Sequence, residues 1–262
     1  MSTTAVSLSA HPVILAAQQL ATAHHAPYDP SHDVHHVHRV TSLAVLIADS
    51  VRSTENVEVD LLVVALGGLF HDLLDTKYLK LAPGQPAPTP QERLEPFWSQ
   101  FEQDAINDEQ RRLVEKVVDN VSYSKEVKRI QNGLQTEWHE RCLELHCVQD
   151  ADKLDAIGAF GIMRCAAYSA ISNRPLFAAS TDPSSATPST SSPRFPPAVP
   201  SGSDAISHFH DKLVKLEGMM KTAKGKELAR ERTEVLRKFI AQIEGEWDDV
   251  GKGTDALGRI RV

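Results

Sequence analysis

Apolar residues recur at steps of three and four through most of this chain and show no run of two-residue alternation, so the pattern predicts helices and no strands. A short helix is expected from His11 to His25, with Val13, Leu15, Ala16 and Leu20 on its apolar side. Pro27 and Pro30 end it, because proline removes a donor and disfavours helical backbone just before itself. Ser31 and Asp33 both suit the N-cap of the next helix, Val34 to Val51. Its stripe is Val37, Val40, Ala44, Ile47 and Val51, and His36 flanks it on the face of Val40, Leu43 and Ile47. After a connection at Ser53 to Val57, the stretch Asp60 to Asp75 is apolar on nearly all sides and predicts a central helix buried on nearly all sides. Gly67-Gly68 inside it costs roughly 1 kcal/mol per glycine relative to alanine, which points to close approach by another helix. On one continuous helix His71 and Asp75 share a face.

Leu81 to Pro96 holds Pro83, Pro86, Pro88, Pro90 and Pro96 and is expected to be a surface loop. A short helix is expected from Phe97 to Ile106 and a longer one from Asp108 to Val121, with Leu113, Val117 and Val121 in register. Trp138 to Asp150 leads into Asp150-Ala151-Asp152-Lys153-Leu154-Asp155. The small and apolar residues Ala156, Ala159, Phe160, Ile162, Met163 and Ala166 suggest a tightly packed helix. Residues 175–203 are mostly Ser, Thr, Pro and Ala, too little apolar surface to offset the entropy of ordering, so a disordered insertion is expected there. Helical pattern returns from Asp204 to Trp247, in one stripe of Ile206, Phe209, Leu213, Leu216 and Met220 and a second, after Gly225, of Leu228, Val235, Leu236, Phe239, Ile240 and Ile243. The fold class is therefore all-α: a helical bundle spanning 1–262 as a single domain, with the low-complexity insertion 175–203 inside it.

Composition narrows the partners. The chain has 262 residues, 41% of them apolar, and a net charge of −7. That balance disfavours a nucleic acid polymer, whose backbone is bound by basic surface, but leaves room for a small phosphorylated molecule held by local positive charge or a metal. Three cysteines, Cys142, Cys147 and Cys165, fit a reducing cytoplasmic compartment better than a disulfide framework. The N-terminus lacks the pattern of a signal peptide, and no apolar run approaches the ~20 residues of a membrane span. A homodimer is compatible with all of this.

The chemistry centres on Leu69-Phe70-His71-Asp72-Leu73-Leu74-Asp75, which carries a His-Asp pair into apolar surroundings. Burying an ionised carboxylate beside an imidazole is costly unless something pairs with them, and a divalent cation is the simplest partner. His36 upstream and Asp152 downstream complete a candidate set of His36, His71, Asp72 and Asp152 drawn from three separate helices. Two imidazoles and two carboxylates form a mixed N/O set suited to Mn²⁺, Fe²⁺, Co²⁺, Ni²⁺ or Mg²⁺ with open positions for water. Two other groups have simpler explanations. His32-Asp33 sits where Asp33 caps a helix. His139, Cys142, His146 and Cys147 lie within one short helical stretch that cannot wrap a tetrahedron around zinc without unwinding.

The words around the ligands are more specific than the ligands themselves. Ser31-His32-Asp33-Val34-His35-His36-Val37-His38-Arg39-Val40, Phe70 through Lys77, Gln149 through Ala159, and His208-Phe209 on to Lys212-Leu213, Gly225, Ala229 and Arg232 resemble, in order, four motifs of the HD-domain metal-dependent phosphohydrolases of the YpgQ/YedJ-like group. The resemblance covers about residues 11–172 and 204–247. It implies a helical hydrolase of phosphate esters or anhydrides, with nucleotides as substrates. His36, His71, Asp72 and Asp152 fall on the metal positions. Neither His139 nor His146 matches the extra histidines that some relatives use for a second metal, and Val121 stands where some close relatives have a histidine. One divalent ion, with manganese favoured, is therefore expected.

On that basis a metal-bound water is expected to attack phosphorus, with Asp75 orienting or deprotonating it. Arg39, Lys77, Lys125, Lys153 and Lys212 are candidate phosphate contacts, Arg39 and Lys77 first because they adjoin ligand motifs. Asp150 and Asp155 are expected to support the site or to cap helices. The favoured activity is release of pyrophosphate from nucleoside triphosphates. Alternatives are a nucleoside 5′-monophosphatase or phosphodiesterase, a non-catalytic metal and nucleotide sensor, and a scaffold that uses the insertion to dock partners.

Overall fold

The computed structural model describes residues 7–75, 79, 84–178, 202 and 204–259. Among them there are helices and no strands, as the periodicity predicts. After a 3₁₀ turn at Leu8–Ala10, α1 (Pro12–His25) opens with proline in its first turn, where no donor is lost. The helix α2 (Val34–Glu55) is capped by Asp33, whose carboxylate accepts from the His36 N–H at 3.0 Å. It runs a turn beyond the expected Val51 and ends at Asn56, in the left-handed region at φ 50°. Asp60 caps α3 (Leu61–Phe70) by accepting from the Leu62 and Val63 N–H groups.

The chain continues through α4 (Pro90–Trp98), α5 (Asp108–Asn120), α6 (Tyr123–Gln131), α7 (Glu137–Arg141), α8 (Leu143–Asp155) and α9 (Gly158–Ile171). Beyond the insertion come α10 (Ala205–Asp211), a 3₁₀ segment Leu213–Met219 and the 37-residue α11 (Ala223–Arg259). At the centre α2, α3 and α8 pack on one another. The helices α1 and α5 flank α3, and α11 lies against α8, α9 and α2. The two central glycines sit where neighbours come closest. A Cβ on Gly68 would stand 2.8 Å from the Thr41 Cα of α2, and one on Gly67 3.0 Å from a Val117 methyl of α5. No single helix among the described residues is long and apolar enough to cross a membrane.

Several boundaries differ from the sequence expectation, each for a local reason. The central helix stops at Phe70 instead of Asp75. The chain then tightens into i→i+3 turns, Leu73 N–H to Phe70 O at 3.1 Å and Asp75 N–H to Asp72 O at 3.2 Å, so His71 and Asp75 are not stacked on one helix face. The proline-rich stretch expected as loop holds α4. Thr89 and Glu92 form a capping box around Pro90 in the first turn, so Pro90 starts a helix instead of breaking one, and Pro96 lies inside it. The segment expected to be helical at 97–106 is helical only to Trp98. Extended backbone at Cys142 divides the Trp138–Asp150 stretch into α7 and α8. In α9 the expected close packing falls on Gly158 and Gly161, while Phe160 and Met163 are exposed. Most of the insertion expected at 175–203 lies outside the described residues, as does Lys77.

Candidate metal centre and the cavity around it

Four side chains from three segments converge at the junction of α2, the turn after α3, and α8. The Nε2 atoms of His36 and His71 stand 3.1 Å apart. Asp72 Oδ2 lies 3.3 Å from each of them, and Asp152 Oδ1 lies 3.8 Å and 3.9 Å away. One ligand atom each from His36, His71 and Asp152 falls within 4.8 Å of the others, and no other such group occurs among the described residues. Neighbouring donors around a six-coordinate ion with bonds of about 2.1 Å sit about 3 Å apart. The donor set therefore fits a divalent cation in both chemistry and spacing. The unwound turn after α3 explains how two consecutive residues, His71 and Asp72, reach the same point.

Each imidazole is aimed by a partner on its far nitrogen. His36 Nδ1 meets Asp155 Oδ2 at 2.7 Å. The same carboxylate takes Arg39 Nε at 2.7 Å, Arg39 Nη2 at 3.0 Å and Arg164 Nη1 at 3.2 Å. His71 Nδ1 donates to the Gly68 carbonyl at 2.7 Å. With Nδ1 on that carbonyl, it is Nε2 that faces the centre. Burial alone would keep His71 neutral, but the Asp72 and Asp152 carboxylates and the Gly68 carbonyl push its pKa up to about 9. Burial would also raise Asp72, yet the two histidines hold it well below the usual carboxylate range. Asp155 is likewise depressed against its burial by His36, Arg39 and Arg164. A cation at this point would take the place of the His71 proton among these carboxylates.

A cavity of about 380 Å³ opens in front of the cluster. Part of its lining, the metal wall, is His36, His71, Asp72, Asp75 and Asp152; another part, the second wall, is Ser122, Tyr123, Ser124, Lys125, Lys128 and Lys212 from α6 and the end of α10. Lys153 and Arg164 also line it. Of the expected phosphate contacts, Lys125, Lys153 and Lys212 line this cavity. Lys125 also pairs with Asp119 at 2.7 Å, and the Lys212 ammonium sits 4.4 Å over the Tyr123 ring. Arg39 is held on Asp155 and stacked on Phe160, and it is not among the residues that line the cavity. Lys77 is outside the described residues. Asp75 lines the cavity.

Of the two acids expected to support the site or cap helices, Asp155 bonds His36, whereas Asp150 takes the capping role. Its carboxylate accepts from the Lys221 and Thr222 N–H groups and the Thr222 hydroxyl, fixing the chain just before α11. A Cβ on Gly225 would stand 2.3 Å from that carboxylate, so the glycine keeps the helix against it. The His139-Cys142-His146-Cys147 group does not converge. His139 bonds Thr136 and Asn120, His146 bonds the His139 carbonyl at 2.8 Å, and the three cysteines are free thiols. Sequence reasoning missed a buried network of Glu126, Lys153, Lys221 and Gln149 beneath the cavity. The only signal for it was a carboxylate on the buried side of α6, which was not assigned as a helix.

Residues 33–157 match the HD domain family. The Bacillus subtilis protein YpgQ is 29% identical over 81% of this chain and 83% of its own length. A crystal structure of YpgQ in complex with ADP superposes with a TM-score of 0.59 at 25% identity, covering 89% of this chain and 94% of that one. A Lactobacillus plantarum protein superposes at 0.62 with 28% identity, covering 90% and 97%. An HD-superfamily hydrolase from Bacillus thuringiensis shares the fold at 0.59 with 22% identity, covering 90% and 96%. These likenesses identify residues 33–157 as an HD domain, and the chain over most of its length is similar to YpgQ.

Proposed function

We propose that this protein hydrolyses nucleotides, and that its favoured reaction is release of pyrophosphate from a nucleoside triphosphate. The observation that carries this reading is one cavity with a two-imidazole, two-carboxylate cluster on one wall and lysines on the other. A binding module needs no acid beside such a cluster, yet Asp75 stands there. YpgQ's capacity to hold ADP supports a nucleotide as the ligand class.

In this reading His36, His71, Asp72 and Asp152 hold one divalent ion. The ion supplies Lewis acidity and makes a bound water more acidic. Manganese suits the mixed nitrogen and oxygen donors. Asp75 orients the attacking water and accepts its proton at the carboxylate. Lys125, Lys153 and Lys212 bind phosphoryl oxygens and stabilise charge as it builds on them. Asp155, Arg39 and Arg164 keep the His36 ring in its orientation throughout. Three free cysteines agree with a reducing, cytoplasmic setting.

The deciding experiment is a panel of nucleoside mono-, di- and triphosphates with Mn²⁺, Mg²⁺ or Co²⁺, scored for phosphate against pyrophosphate. Pyrophosphate from triphosphates is expected. Phosphate from monophosphates alone would make the enzyme a nucleotidase, and binding without turnover would make it a sensor.

A further inference from the structure

Two helix surfaces in this chain are apolar, uncharged and largely open among the described residues. The first is the outer side of α9, where Phe160, Met163, Ala167 and Ala170 step by three, four and three positions. Met163 is 67% exposed, and Phe160 and Ile171 are exposed beside it. The second is the end of α11, where Trp247, Val250, Thr254 and Leu257 repeat the same three, four, three step. Trp247 packs on Phe177 with ring centroids 5.0 Å apart, but Val250 is exposed and Leu257 is 77% exposed.

The end of α11 is built for a close neighbour that the chain does not itself supply. A glycine inside a helix costs about 1 kcal/mol relative to alanine, and an unpacked helix is marginal to begin with. Yet Gly245, Gly251 and Gly253 all lie in this stretch. A Cβ at any of them would meet nothing within 4 Å, so no contact inside the chain accounts for them. Gly251 follows Trp247 by one turn, on the same stripe, where another helix coming close would need it. The tail continues the helix that already packs on α9 from within. It cannot reach the outer side of the same α9 without breaking.

Length and charge fit the tail to the α9 of a second copy. Residues 248–259 span about 18 Å as helix, and the 14-residue α9 about 21 Å. Residues 244–262 carry five acids against three bases, whereas residues 158–174 carry no acid. Of the cations around α9, Arg39 and Arg164 answer Asp155, and Arg174 has no ion pair among the described residues. Two acidic tails would repel each other, so a tail favours an α9 over another tail.

We propose that two copies of this chain pair by exchange, the α11 tail of each lying on the outer face of the other's α9. A two-fold axis makes that contact twice and leaves neither stripe open. The tail then covers the Phe160 ring on which Arg39 stacks, at the outer end of the Arg39–Asp155–His36 chain of contacts. The pairing does not depend on which reaction the metal centre performs.

Sedimentation velocity of the full-length protein over a concentration series tests this, and wild type should be a dimer. Met163→Glu and Leu257→Glu replace exposed side chains, so helicity by circular dichroism should not change. Each places an unpaired carboxylate in the pairing and should weaken the dimer about tenfold or more. The decisive sample is an equimolar mixture of the two variants. In a mixed pair the unaltered tail of one copy meets the unaltered α9 of the other, so dimer should reappear, held by that contact. A monomeric wild type overturns the proposal. A dimer that survives Met163→Glu does not use α9, and one that survives Leu257→Glu does not use the tail. Either result overturns the exchange, as does a mixture that stays monomeric.

Discussion

The two walls of the cavity are built in opposite ways. On the metal wall the histidines are buried and each is fixed by a partner behind it: Asp155 behind His36, and the Gly68 carbonyl behind His71. On the second wall Lys125 and its partner Asp119 are 56% and 52% exposed, and the α6 N-cap is unmet. Coordination depends on tenths of an ångström and so needs a rigid frame. Recognition of phosphoryl oxygens depends on charge and tolerates mobile side chains. If that contrast is correct, substitutions on the first wall act through geometry, and those on the second through charge and salt.

The largest effect is expected at the cluster itself. Asp72→Ala should remove metal-dependent turnover while circular dichroism stays near wild type, because Asp72 sits in a turn and not in a helix. Full retained activity would take Asp72 out of the site. Next comes Asp155→Asn, which never touches the ion. It should lower metal affinity or activity about 10–100-fold, the usual consequence of losing the group behind a ligating imidazole. Equilibrium dialysis against Mn²⁺ reads this directly. An unchanged affinity would mean that His36 is aimed by packing alone.

Proton competition provides a smaller, graded test of the same wall. In the cation-free protein His71 carries its proton up to about pH 9, and an ion must displace that proton. Apparent divalent affinity should therefore rise about tenfold per pH unit from neutrality toward that value, then flatten. The stability linkage has a fixed sign too. The folded pKa lies above the ordinary histidine value of 6.5, so His71's contribution is complete below that pH and is lost as pH rises toward 9. Chemical denaturation in chelator at three pH values measures this. A pH-independent affinity would show that Asp72 does not govern the His71 proton.

The two walls also differ in how far the sequence revealed them. His36, His71, Asp72 and Asp152 were legible because the His-Asp pair interrupts an apolar run and the flanking motifs are specific. The end of α3 was not, because Leu73 and Leu74 continue the apolar pattern past the true terminus and no glycine or proline marks the stop. The helix α4 was hidden by reading prolines as breakers when the Thr89–Glu92 box made one of them a start. The second wall depends on how α6 and α10 meet across the cavity, and such a long-range meeting leaves no local periodicity. Arg39 was assigned by its nearness to a motif, and only the fold showed Asp155 as its partner. The glycine reading can be tested directly. Gly68→Ala places a Cβ 2.8 Å from backbone of α2, so α2 and α3 must separate, at a cost of about 1–3 kcal/mol. Urea denaturation should show this, with metal affinity falling in parallel because the Gly68 carbonyl orients His71. A neutral result would mean the helix pair has slack that the close contact hides.

The smallest effect is expected at Lys125, on the second wall. Its ammonium bonds the Asp119 carboxylate at 2.7 Å and the Asp119 carbonyl at 3.0 Å, both on open surface. Lys125→Ala should change stability by less than about 1 kcal/mol, since exposed pairs contribute little. KM for a phosphorylated substrate should rise only a few-fold, and that rise should shrink as salt shortens the reach of the charge to about 8 Å at physiological ionic strength. The loss in Asp72→Ala should not respond to salt, because a missing ligand is not a screened charge. Measuring both variants across one salt series separates the two kinds of wall. A salt-insensitive loss at Lys125 as deep as that at Asp72 would mean its ammonium touches the reacting atoms, and the division between a rigid metal wall and a tolerant phosphate wall would then fail.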